Sequence, residues 1–241
     1  MYSFKNNHPG FLIIGSDTLH RRYLINTLLD RKVPLIGVIF ENTHIKPSFK
    51  TASVYAEKEK HFLMNEFKKY TRLDLDRVKH WNFSNANSES ALKKIDSLEP
   101  IIGVVSGAGY LKKEVIEKFK DGLLNIHLGI AEEYRGLDSN LWAAYHSDFK
   151  NIGVTVHYVD TGLDTGDIVN EERIQALDQV EAYKLRFYEM TLAADMIYNA
   201  LVNYAENSMK VRTQIKKGRY YSFMPSCLKT VAAKKLAKIQ V

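Results

Sequence analysis

The sequence predicts an α/β fold: a Rossmann-like, doubly wound and mostly parallel sheet with a C-terminal β-hairpin extension. Two patterns lead to this prediction. Short runs of branched apolar residues alternate with helical patterns over residues 10–130, as in folds built from strand–helix–strand units. The apolar runs are continuous rather than alternating with polar residues, which is typical of parallel strands buried on both faces.

Five segments are predicted to form the parallel strands. They are FLIIG (11–15), LIGVIF (35–40), KHWNF (79–83), IIGVVSG (101–107) and LLNIH (123–127). Helices are predicted between them because helical patterns separate the apolar runs. These helices cover residues 18–29, 51–70, 88–98 and 112–119. Asp17 is expected to cap the first helix.

The pattern changes after residue 150. Residues 152–159 alternate between two faces, and residues 167–176 are predicted to return beside them as an antiparallel strand. A long amphipathic helix then covers residues 185–201. The tail is predicted to form a hairpin over residues 210–224. We therefore expect one domain over residues 1–206 and a short extension, residues 207–241, packed on it.

The composition favours a soluble cytoplasmic protein. The net charge of +6 suits an anionic ligand or a nucleic acid, but solubility alone also explains it. Cys227 is the single cysteine, so no internal disulfide is possible and a reducing compartment is expected. The amino terminus lacks the layout of a signal peptide, and the apolar stretch at residues 33–40 is far shorter than the ~20 residues of a spanning helix. Neither a metal nor a membrane partner is expected.

Two polar residues lie in the last predicted parallel strand. Asn125 and His127 are two residues apart, so they point to the same side of the strand. In a doubly wound sheet, ligands bind at the carboxyl ends of the strands. The pair therefore forms part of a ligand site, or it consists of two core residues with separate hydrogen-bond partners. For an isolated Asn-x-His the second interpretation is favoured.

The loop at residues 160–167, DTGLDTGD, holds three aspartates, and Gly162 and Gly166 flank Asp164. Glycines there permit left-handed backbone turns and close approach to a ligand. The acids are not spaced as in a calcium loop, which also requires a distal glutamate. A ligand-binding loop and an ordinary turn are both compatible with this segment alone.

Together these segments resemble the folate-dependent formyltransferases. The resemblance lies in LLNIHLG (123–129), YRGLDSNLWA (134–143) and GVTVHYVDTGLDTGDIV (153–169). The family includes glycinamide ribonucleotide formyltransferase, methionyl-tRNA formyltransferase and the sugar N-formyltransferases. The resemblance implies the formyltransferase fold, an N-formyltransferase activity and 10-formyltetrahydrofolate as co-substrate.

Carried over by position, the catalytic asparagine, histidine and aspartate of the family fall on Asn125, His127 and Asp164. When an amine attacks a formyl carbon, negative charge develops on oxygen, and Asn125 and a proton-donating His127 suit its stabilisation. Asp164 is expected to accept the proton of the amine or to hold the imidazolium. The resemblance also implies folate contacts in the segment SGAGYL (106–111) and the aspartate-rich loop. The implied folate contacts are Gly107, Tyr110, Leu111, Asp160 and Gly162.

The runs YRG…SNLWA and GRYYSFMP (218–225) resemble the short sugar N-formyltransferases, which act on an amino group of a nucleotide-linked deoxysugar. The expected substrate is a dTDP- or UDP-linked sugar of the 4-amino-4,6-dideoxyglucose type, formylated for a surface glycan such as lipopolysaccharide O-antigen. The implied substrate contacts are Tyr134, Arg135, Gly136, Asn140, Trp142, Tyr220, Tyr221 and Phe223. Arg135 is expected to face the substrate or to support the active-site loop. The late aromatics are expected to stack on the base or to bury the terminal hairpin.

Other functions remain open. The tRNA enzyme carries an additional C-terminal barrel, whereas only residues 207–241 follow the expected domain here. The purine enzyme opens with a glycine-rich phosphate loop, whereas Gly15 stands alone in IIGSDTLHRR (13–22). A non-catalytic interaction module of the same fold is a further alternative, suggested by the charged segment 51–70 and the basic tail. A homodimer is compatible with the sequence, nucleic acid is not an expected partner, and His146 and His157 are predicted to be structural or exposed.

Overall fold

The structure is a computed structural model that describes residues 2–4, 10–42, 47–70, 77–175 and 180–238. The strands are β1 (Phe11–Ser16), β2 (Leu35–Glu41), β3 (His80–Phe83), β4 (Ile102–Ser106), β5 (Leu123–His127), β6 (Tyr134–Gly136), β7 (Gly153–Tyr158), β8 (Ile168–Arg173) and β9 (Arg219–Tyr221). The helices are α1 (Leu19–Asp30), α2 (Ala56–Glu66), α3 (Glu89–Leu98), α4 (Lys113–Ile116), α5 (Ser139–Tyr145), α6 (Leu185–Ala205) and α7 (Ser226–Leu236). Short 3-10 turns lie at Lys68–Tyr70, Phe149–Asn151 and Ala182–Lys184.

The main sheet has seven strands in the order β3-β2-β1-β4-β5-β7-β8. Strands β1 to β5 are parallel, whereas β7 and β8 are antiparallel to their neighbours. The predicted mostly parallel, doubly wound sheet is confirmed. Strands β2 and β3 lie on one side of β1, and β4 and the later strands of the sheet lie on the other. Where the strand order reverses in this way, a ligand-binding crevice is expected at the carboxyl ends of β1 and β4.

Helices cover both faces of the sheet, and β1 shows how the sequence divides them. Phe11 and Ile13 pack with the apolar faces of α1 and α6. Leu12 and Ile14 point to the opposite face and pack with α3 and α4. All four side chains are buried, which explains the continuous apolar run, because a strand covered on both faces has no polar side.

Three local predictions need adjustment. The helix predicted over residues 51–70 is shorter, since α2 is followed by a separate 3-10 turn. The helix predicted over residues 112–119 contains only α4. Thr18, not Asp17, is the residue at the N-cap of α1, because the carboxylate of Asp17 accepts two hydrogen bonds from Arg22 at 2.6 and 2.7 Å. Within the described ranges, no helix combines the length and apolarity needed to cross a bilayer.

The C-terminal hairpin predicted for residues 210–224 is wrong. Arg212 instead exchanges backbone hydrogen bonds of 2.8 and 2.9 Å with Ile168. Further along, β9 pairs in parallel with β6, so that Arg219 lies beside Tyr134. The backbone groups of the segment are therefore satisfied by other parts of the chain, and no self-paired turn forms. Beyond it, α7 packs against α5 in a separate apolar cluster.

Candidate active site

A cleft of about 570 Å³ lies at the carboxyl ends of β4 and β5. Its walls come from the segment after β4, the loop between β7 and β8, the start of α5, part of α6 and the C-terminal segment. Asn125 and His127 line it from β5, and Asp164 lines it from the aspartate-rich loop. The cleft therefore lies at the strand ends, where a doubly wound sheet binds ligands.

The structure brings Asn125, His127 and Asp164 together. The amide nitrogen of Asn125 donates to one carboxylate oxygen of Asp164 at 3.3 Å. The other carboxylate oxygen lies 3.4 Å from Nδ1 of His127. The polar pair on β5 and the later loop thus form one cluster rather than separately satisfied core groups.

The hydrogen bonds of His127 assign its two ring nitrogens. Nε2 lies 2.7 Å from the backbone oxygen of Tyr134, so Nε2–H donates to that carbonyl. Nδ1 faces Asp164, and it is the nitrogen that can take up or release a proton. A proton on Nδ1 of His127 would point toward the carboxylate of Asp164.

Asp164 has an unusual backbone and a well-supported side chain. Its φ of +53° lies in the left-handed region, which aspartate tolerates better than most residues. The backbone N–H of Gly136 donates to its carboxylate at 2.8 Å. Burial by itself raises the pKa of Asp164, but the charge of protonated His127 and the hydrogen bond from the Gly136 N–H lower it well below its usual range. Asp164 is therefore ionised at neutral pH.

His157 joins this cluster, although the sequence predicted a structural or exposed role for it. Its Nδ1–H donates to the backbone oxygen of Tyr158 at 2.7 Å, so Nε2 is left as an acceptor. Nε2 lies 3.1 Å from the amide nitrogen of Asn125 and 3.4 Å from the carboxylate of Asp164. Both N–H groups of Asn125 are therefore engaged, one by His157 and one by Asp164.

All five residues expected to contact folate line the cleft: Gly107, Tyr110, Leu111, Asp160 and Gly162. The hydroxyl of Tyr110 donates to the backbone oxygen of Thr161 at 3.0 Å and so joins the two segments. The carboxylate of Asp160 accepts from the N–H of Gly162 at 2.9 Å and from the hydroxyl of Thr165, and it thereby shapes the loop.

The wall between these segments is mostly apolar. Val105, Leu111, Val159 and Leu163 contribute side chains to it, and the surrounding backbone supplies peptide groups. Apolar walls with a few convergent polar groups are typical of sites for flat organic ligands. The residues present therefore fit a pterin ring.

The residues expected to contact the substrate divide into two groups. Gly136, Asn140, Tyr220 and Phe223 line the cleft, whereas Tyr134, Arg135, Trp142 and Tyr221 are not among its lining residues. The side-chain amide of Asn140 is already committed to the backbone of Gly153 and to the carboxylate of Glu189. Among these four residues, Tyr220 and Phe223 are therefore the ones whose side chains are available to contact a ligand.

Arg135 is buried and supports the loop. Its Nε donates to the backbone oxygen of Gly218 at 2.6 Å, and another guanidinium nitrogen donates to the backbone oxygen of Leu163 at 2.8 Å. The second of the two roles expected for this residue thus matches its contacts.

An aromatic stack holds β9 against α5. The ring of Tyr221 lies between those of Trp142 and Tyr134, at centroid distances of 4.9 and 5.5 Å. Its hydroxyl shares a hydrogen bond of 3.1 Å with His146. Tyr221 and Trp142 therefore pack the C-terminal segment against α5.

Arg21 brings a positive charge to the cleft that the sequence analysis did not anticipate. Its guanidinium donates to the hydroxyls of Ser16 at 2.5 Å and Thr18 at 3.2 Å, and its buried Nε has no hydrogen-bond partner within the described ranges. A side chain at Gly107 would collide with the guanidinium, so the glycine lets Arg21 lie against this part of the wall. Burial and then the charge of Arg186 lower the pKa of Arg21 to about 10.

Arg186 is the second cation in the cleft lining. Its guanidinium pairs with Glu189 at 2.8 Å. Burial, followed by the charges of Arg21 and Arg186, keeps the pKa of His20 well below its usual value, so His20 is neutral at pH 7. The two arginines therefore supply the positive charge in the cleft lining.

No cluster of metal-ligating side chains occurs in the described part of the chain, counting groups of at least three His, Cys, Asp or Glu residues. The polar side chains that line the cleft carry amide, imidazole, carboxylate and guanidinium groups.

Residues 41–194 match the family model described as formyl transferase, and this segment contains the whole Asn125, His127 and Asp164 cluster. The chain belongs to the formyl transferase family. The predicted resemblance to this family is thereby confirmed.

Several kinds of formyl transferase resemble the chain, among them methionyl-tRNA formyltransferases and sugar N-formyltransferases. Methionyl-tRNA formyltransferase from Finegoldia magna is 32% identical over 121 residues, which is 50% of this chain and 39% of that protein. A sugar N-formyltransferase structure from a Shewanella species superposes with a TM-score of 0.64 at 13% identity and covers 95% of this chain and 88% of its own.

A second solved structure has ligands. The formyltransferase from Anoxybacillus kamchatkensis, in complex with UDP-4,6-dideoxy-4-formamido-L-AltNAc and tetrahydrofolate, superposes with a TM-score of 0.54 at 17% identity, covering 88% of this chain and 85% of that one. At these identities the likeness establishes the fold. The matched part of the chain spans less than half the length of the tRNA enzyme, whereas the structural matches extend over nearly the whole chain.

Proposed function

We propose that the chain transfers a formyl group from 10-formyltetrahydrofolate to the amino group of a nucleotide-linked amino-deoxysugar. One observation carries the proposal: a single cleft contains both the Asn125, His127 and Asp164 cluster and the cations Arg21 and Arg186. The cluster can stabilise charge and move protons during formyl transfer, and the two arginines can bind the phosphates of a nucleotide diphosphate. The likeness to sugar N-formyltransferases over nearly the whole chain supports the same choice.

When bound, 10-formyltetrahydrofolate supplies the formyl group. We assign its pterin ring to the wall between residues 107–111 and 160–163. Both segments line the cleft, and the hydrogen bond from Tyr110 to Thr161 ties them together. The tetrahydrofolate in the Anoxybacillus kamchatkensis complex supports a folate site in this fold.

The chain's own residues would stabilise the charge that develops when the amine attacks the formyl carbon. His127 and the amide of Asn125 are the donors available for the formyl oxygen. Both N–H groups of Asn125 are engaged before the substrate arrives, and the bond to Asp164 at 3.3 Å is longer than the one to His157 at 3.1 Å. We therefore expect the hydrogen that points to Asp164 to be redirected to the oxygen.

Proton transfer falls to His127 and Asp164. The attacking amine must lose a proton, and the leaving nitrogen must gain one as its bond to the formyl carbon breaks. Asp164 is ionised and lies 3.4 Å from Nδ1 of His127, so the pair can accept the first proton and return one to the leaving nitrogen. The carboxylate also stabilises the imidazolium while it carries the proton.

The cations in the cleft lining fit a nucleotide diphosphate. Among the described residues, the guanidinium of Arg21 donates hydrogen bonds only to hydroxyl side chains, and its buried Nε has no hydrogen-bond partner. A guanidinium in this state suits phosphate, which it can bind through two parallel hydrogen bonds. Tyr220 and Phe223 line the same cleft, and their ring faces suit a planar base.

The finer identity of the sugar is part of the proposal. We propose a dTDP- or UDP-linked sugar of the 4-amino-4,6-dideoxyglucose type, used for a surface glycan such as lipopolysaccharide O-antigen. The formamido group at position 4 of the ligand in the Anoxybacillus kamchatkensis complex supports this position of the amine. We further propose that the chain acts in the cytoplasm and as a homodimer.

The test is an acceptor screen with 10-formyltetrahydrofolate in which mass spectrometry detects the formylated product. The panel holds UDP-, dTDP- and GDP-linked 3-amino and 4-amino deoxysugars, with glycinamide ribonucleotide and initiator methionyl-tRNA beside them. We expect turnover on a nucleotide 4-amino sugar, and loss of that turnover in Asp164→Asn. Turnover on glycinamide ribonucleotide alone, or on no acceptor, would overturn the proposal; the second result would favour a non-catalytic module.

Formylation of methionyl-tRNA is the second candidate. The observation that favours it is the 32% identity to the tRNA enzyme of Finegoldia magna over 121 residues, and the net charge of +6 is compatible with a nucleic acid. The same screen separates the two candidates, because only this one predicts turnover on initiator methionyl-tRNA that weakens steeply with added salt.

A further inference from the structure

Residues 212–218, which we call the C-terminal strap, cross beside the loop that carries Asp164. At one end Arg212 exchanges backbone hydrogen bonds with Ile168, and its guanidinium binds both carboxylate oxygens of Glu132 at 2.9 and 3.1 Å. At the other end Gly218 accepts a hydrogen bond from Arg135 at 2.6 Å. The strap is therefore fixed at both ends.

Gln214 lies between these anchor points and reaches the loop. Its side-chain nitrogen donates to the backbone oxygen of Asp164 at 3.0 Å and to that of Gly166 at 2.9 Å. An amide nitrogen has two N–H groups, so the two carbonyls match its full donor capacity. The contact therefore needs a group such as the glutamine amide, whose single nitrogen can donate two hydrogen bonds.

The loop needs such support because Asp164 has a left-handed backbone, which is unfavourable for a residue with a Cβ atom. Besides the contacts within the central cluster, three hydrogen bonds hold Asp164 and the residue before it: Gln214 binds the Asp164 carbonyl, Gly136 N–H binds its carboxylate, and Arg135 binds the carbonyl of Leu163. Two of the three involve residues tied to the C-terminal strap.

We infer that Gln214 is a positioning residue for the reaction: it holds the backbone of Asp164 so that the carboxylate stays against Asn125 and His127. The inference rests on the proposed formyl transfer, because Asp164 is expected to act in that reaction. The strap lies outside residues 41–194, the part that the family model matches. The C-terminal segment would therefore complete the active site as well as pack on the domain.

The kinetic test compares Gln214→Ala and Gln214→Glu with matched changes at Gln175. Gln175 is exposed and donates to the backbone oxygen of Arg173 at 3.3 Å, so Gln175→Ala and Gln175→Glu remove a similar bond from another position. We expect kcat of Gln214→Ala to fall by about tenfold or more, because displacing a catalytic group by an ångström can cost up to about a hundredfold. KM should stay within about twofold, since the change acts on the transition state and not on binding.

Gln214→Glu should be slower than Gln214→Ala, because a carboxylate would face two carbonyl oxygens. Both Gln175 variants should match the unaltered enzyme in kcat. A Gln214→Ala enzyme with unaltered kcat would overturn the inference. So would a loss of kcat that is equal in the variants at both positions.

Hydrogen–deuterium exchange supplies a readout that needs no substrate. Backbone amides of residues 159–168 should exchange faster in both Gln214 variants and at the original rate in the Gln175 variants, with the rest of the chain unchanged. If no acceptor is turned over, the proposed function fails while exchange still tests the positioning contact. Unchanged exchange in this loop, or faster exchange throughout the chain, would contradict the role of Gln214.

Discussion

Asn125 and His157 lie opposite each other in the antiparallel register of β5 and β7, and their side chains meet at 3.1 Å. The Nδ1–H of His157 is committed to the carbonyl of Tyr158, so Nε2 accepts from the Asn125 amide. This contact turns the amide nitrogen of Asn125 toward Asp164. His157 therefore orients the side-chain amide of Asn125, which we propose takes part in catalysis.

Removal of His157 should slow the reaction without abolishing it. In His157→Ala the Asn125 amide loses one of its two acceptors, and we expect kcat to fall by about fivefold to tenfold, which corresponds to one hydrogen bond of about 1 kcal/mol. Gln at this position can present an oxygen where Nε2 now lies, so His157→Gln should recover most of the loss. Steady-state kinetics on the accepted substrate provide the measurement. Equal rates in His157→Ala and the unaltered enzyme would show that Asn125 needs no orienting partner.

Changes at the three central residues should have far larger effects. We expect kcat to fall by about 10²- to 10³-fold in Asn125→Ala, the usual loss for one oxyanion donor. Loss of acid–base function in Asp164→Asn and His127→Ala should cost about 10²- to 10⁴-fold each. The double variant should be little worse than either single one, because the two side chains act as a unit.

Asp167→Asn is the control for these variants, because it removes an exposed carboxylate from the same loop. It should retain near-normal turnover, and circular dichroism should show all the variants folded. Substantial turnover in both Asp164→Asn and His127→Ala would refute the assigned roles.

Arg21 should determine affinity for the anionic part of the substrate. Loss of a charged hydrogen bond costs about 1.5–3 kcal/mol, so Arg21→Ala should raise KM for a nucleotide sugar by about tenfold or more and change kcat less. Its neighbour Arg22 serves as the matched control, because its guanidinium is bound to the carboxylate of Asp17. Initial rates against sugar concentration give both constants. A KM that rises equally in Arg22→Ala would point to general charge rather than to a site at Arg21.

The central cluster could be anticipated from sequence because each signal was local. Asn125 and His127 are two residues apart on a strand, and Asp164 sits in a loop dense in glycine and aspartate. The family resemblance then related the two segments. The structure places the side chain of Asp164 3.3 Å from the Asn125 amide and 3.4 Å from Nδ1 of His127.

The remaining members depend on non-local pairing. His157 reaches the cluster only because β7 inserts beside β5 in a register that places it opposite Asn125. Gln214 lies in a segment whose pattern favours a self-paired hairpin, whereas the pairing of Arg212 with Ile168 brings it to the Asp164 loop. Alternation along one strand specifies a face, but it does not identify the neighbouring strand.

Tyr220 and Tyr221 should respond oppositely to substitution. Tyr220 is 49% exposed and lines the cleft, whereas the ring of Tyr221 is stacked between Trp142 and Tyr134. Tyr220→Ala should raise KM for the nucleotide sugar with little change in stability. Tyr221→Ala should lower the free energy of unfolding by about 2–3 kcal/mol, less than the loss for a fully buried aromatic residue, because its side chain is half-buried. Thermal unfolding and substrate titration on both variants test this difference. A raised KM in Tyr221→Ala with unchanged stability would instead show that Tyr221 contacts the substrate.

The lowered pKa of Asp164 predicts a pH-dependent contribution to stability. In the unfolded chain an aspartate titrates near pH 3.9, and the folded pKa lies below that value. Between the two, the unfolded state binds more protons, so stability rises with pH. The contribution of the ionised carboxylate is fully present above the unfolded pKa and is lost as pH falls through the folded pKa. Asp164→Asn cannot make this contribution.

The difference in unfolding free energy between the unaltered enzyme and Asp164→Asn should therefore shrink progressively as pH falls below about 4. Urea unfolding at successive pH values from 6 down to 2.5 gives this difference directly. Asp167→Asn, assayed in the same series, accounts for removal of an exposed carboxylate from this loop. If the gap for Asp164→Asn instead widens toward acid, the carboxylate is held protonated in the folded state. Asp164 would then be unable to accept the proton that the proposed transfer assigns to it.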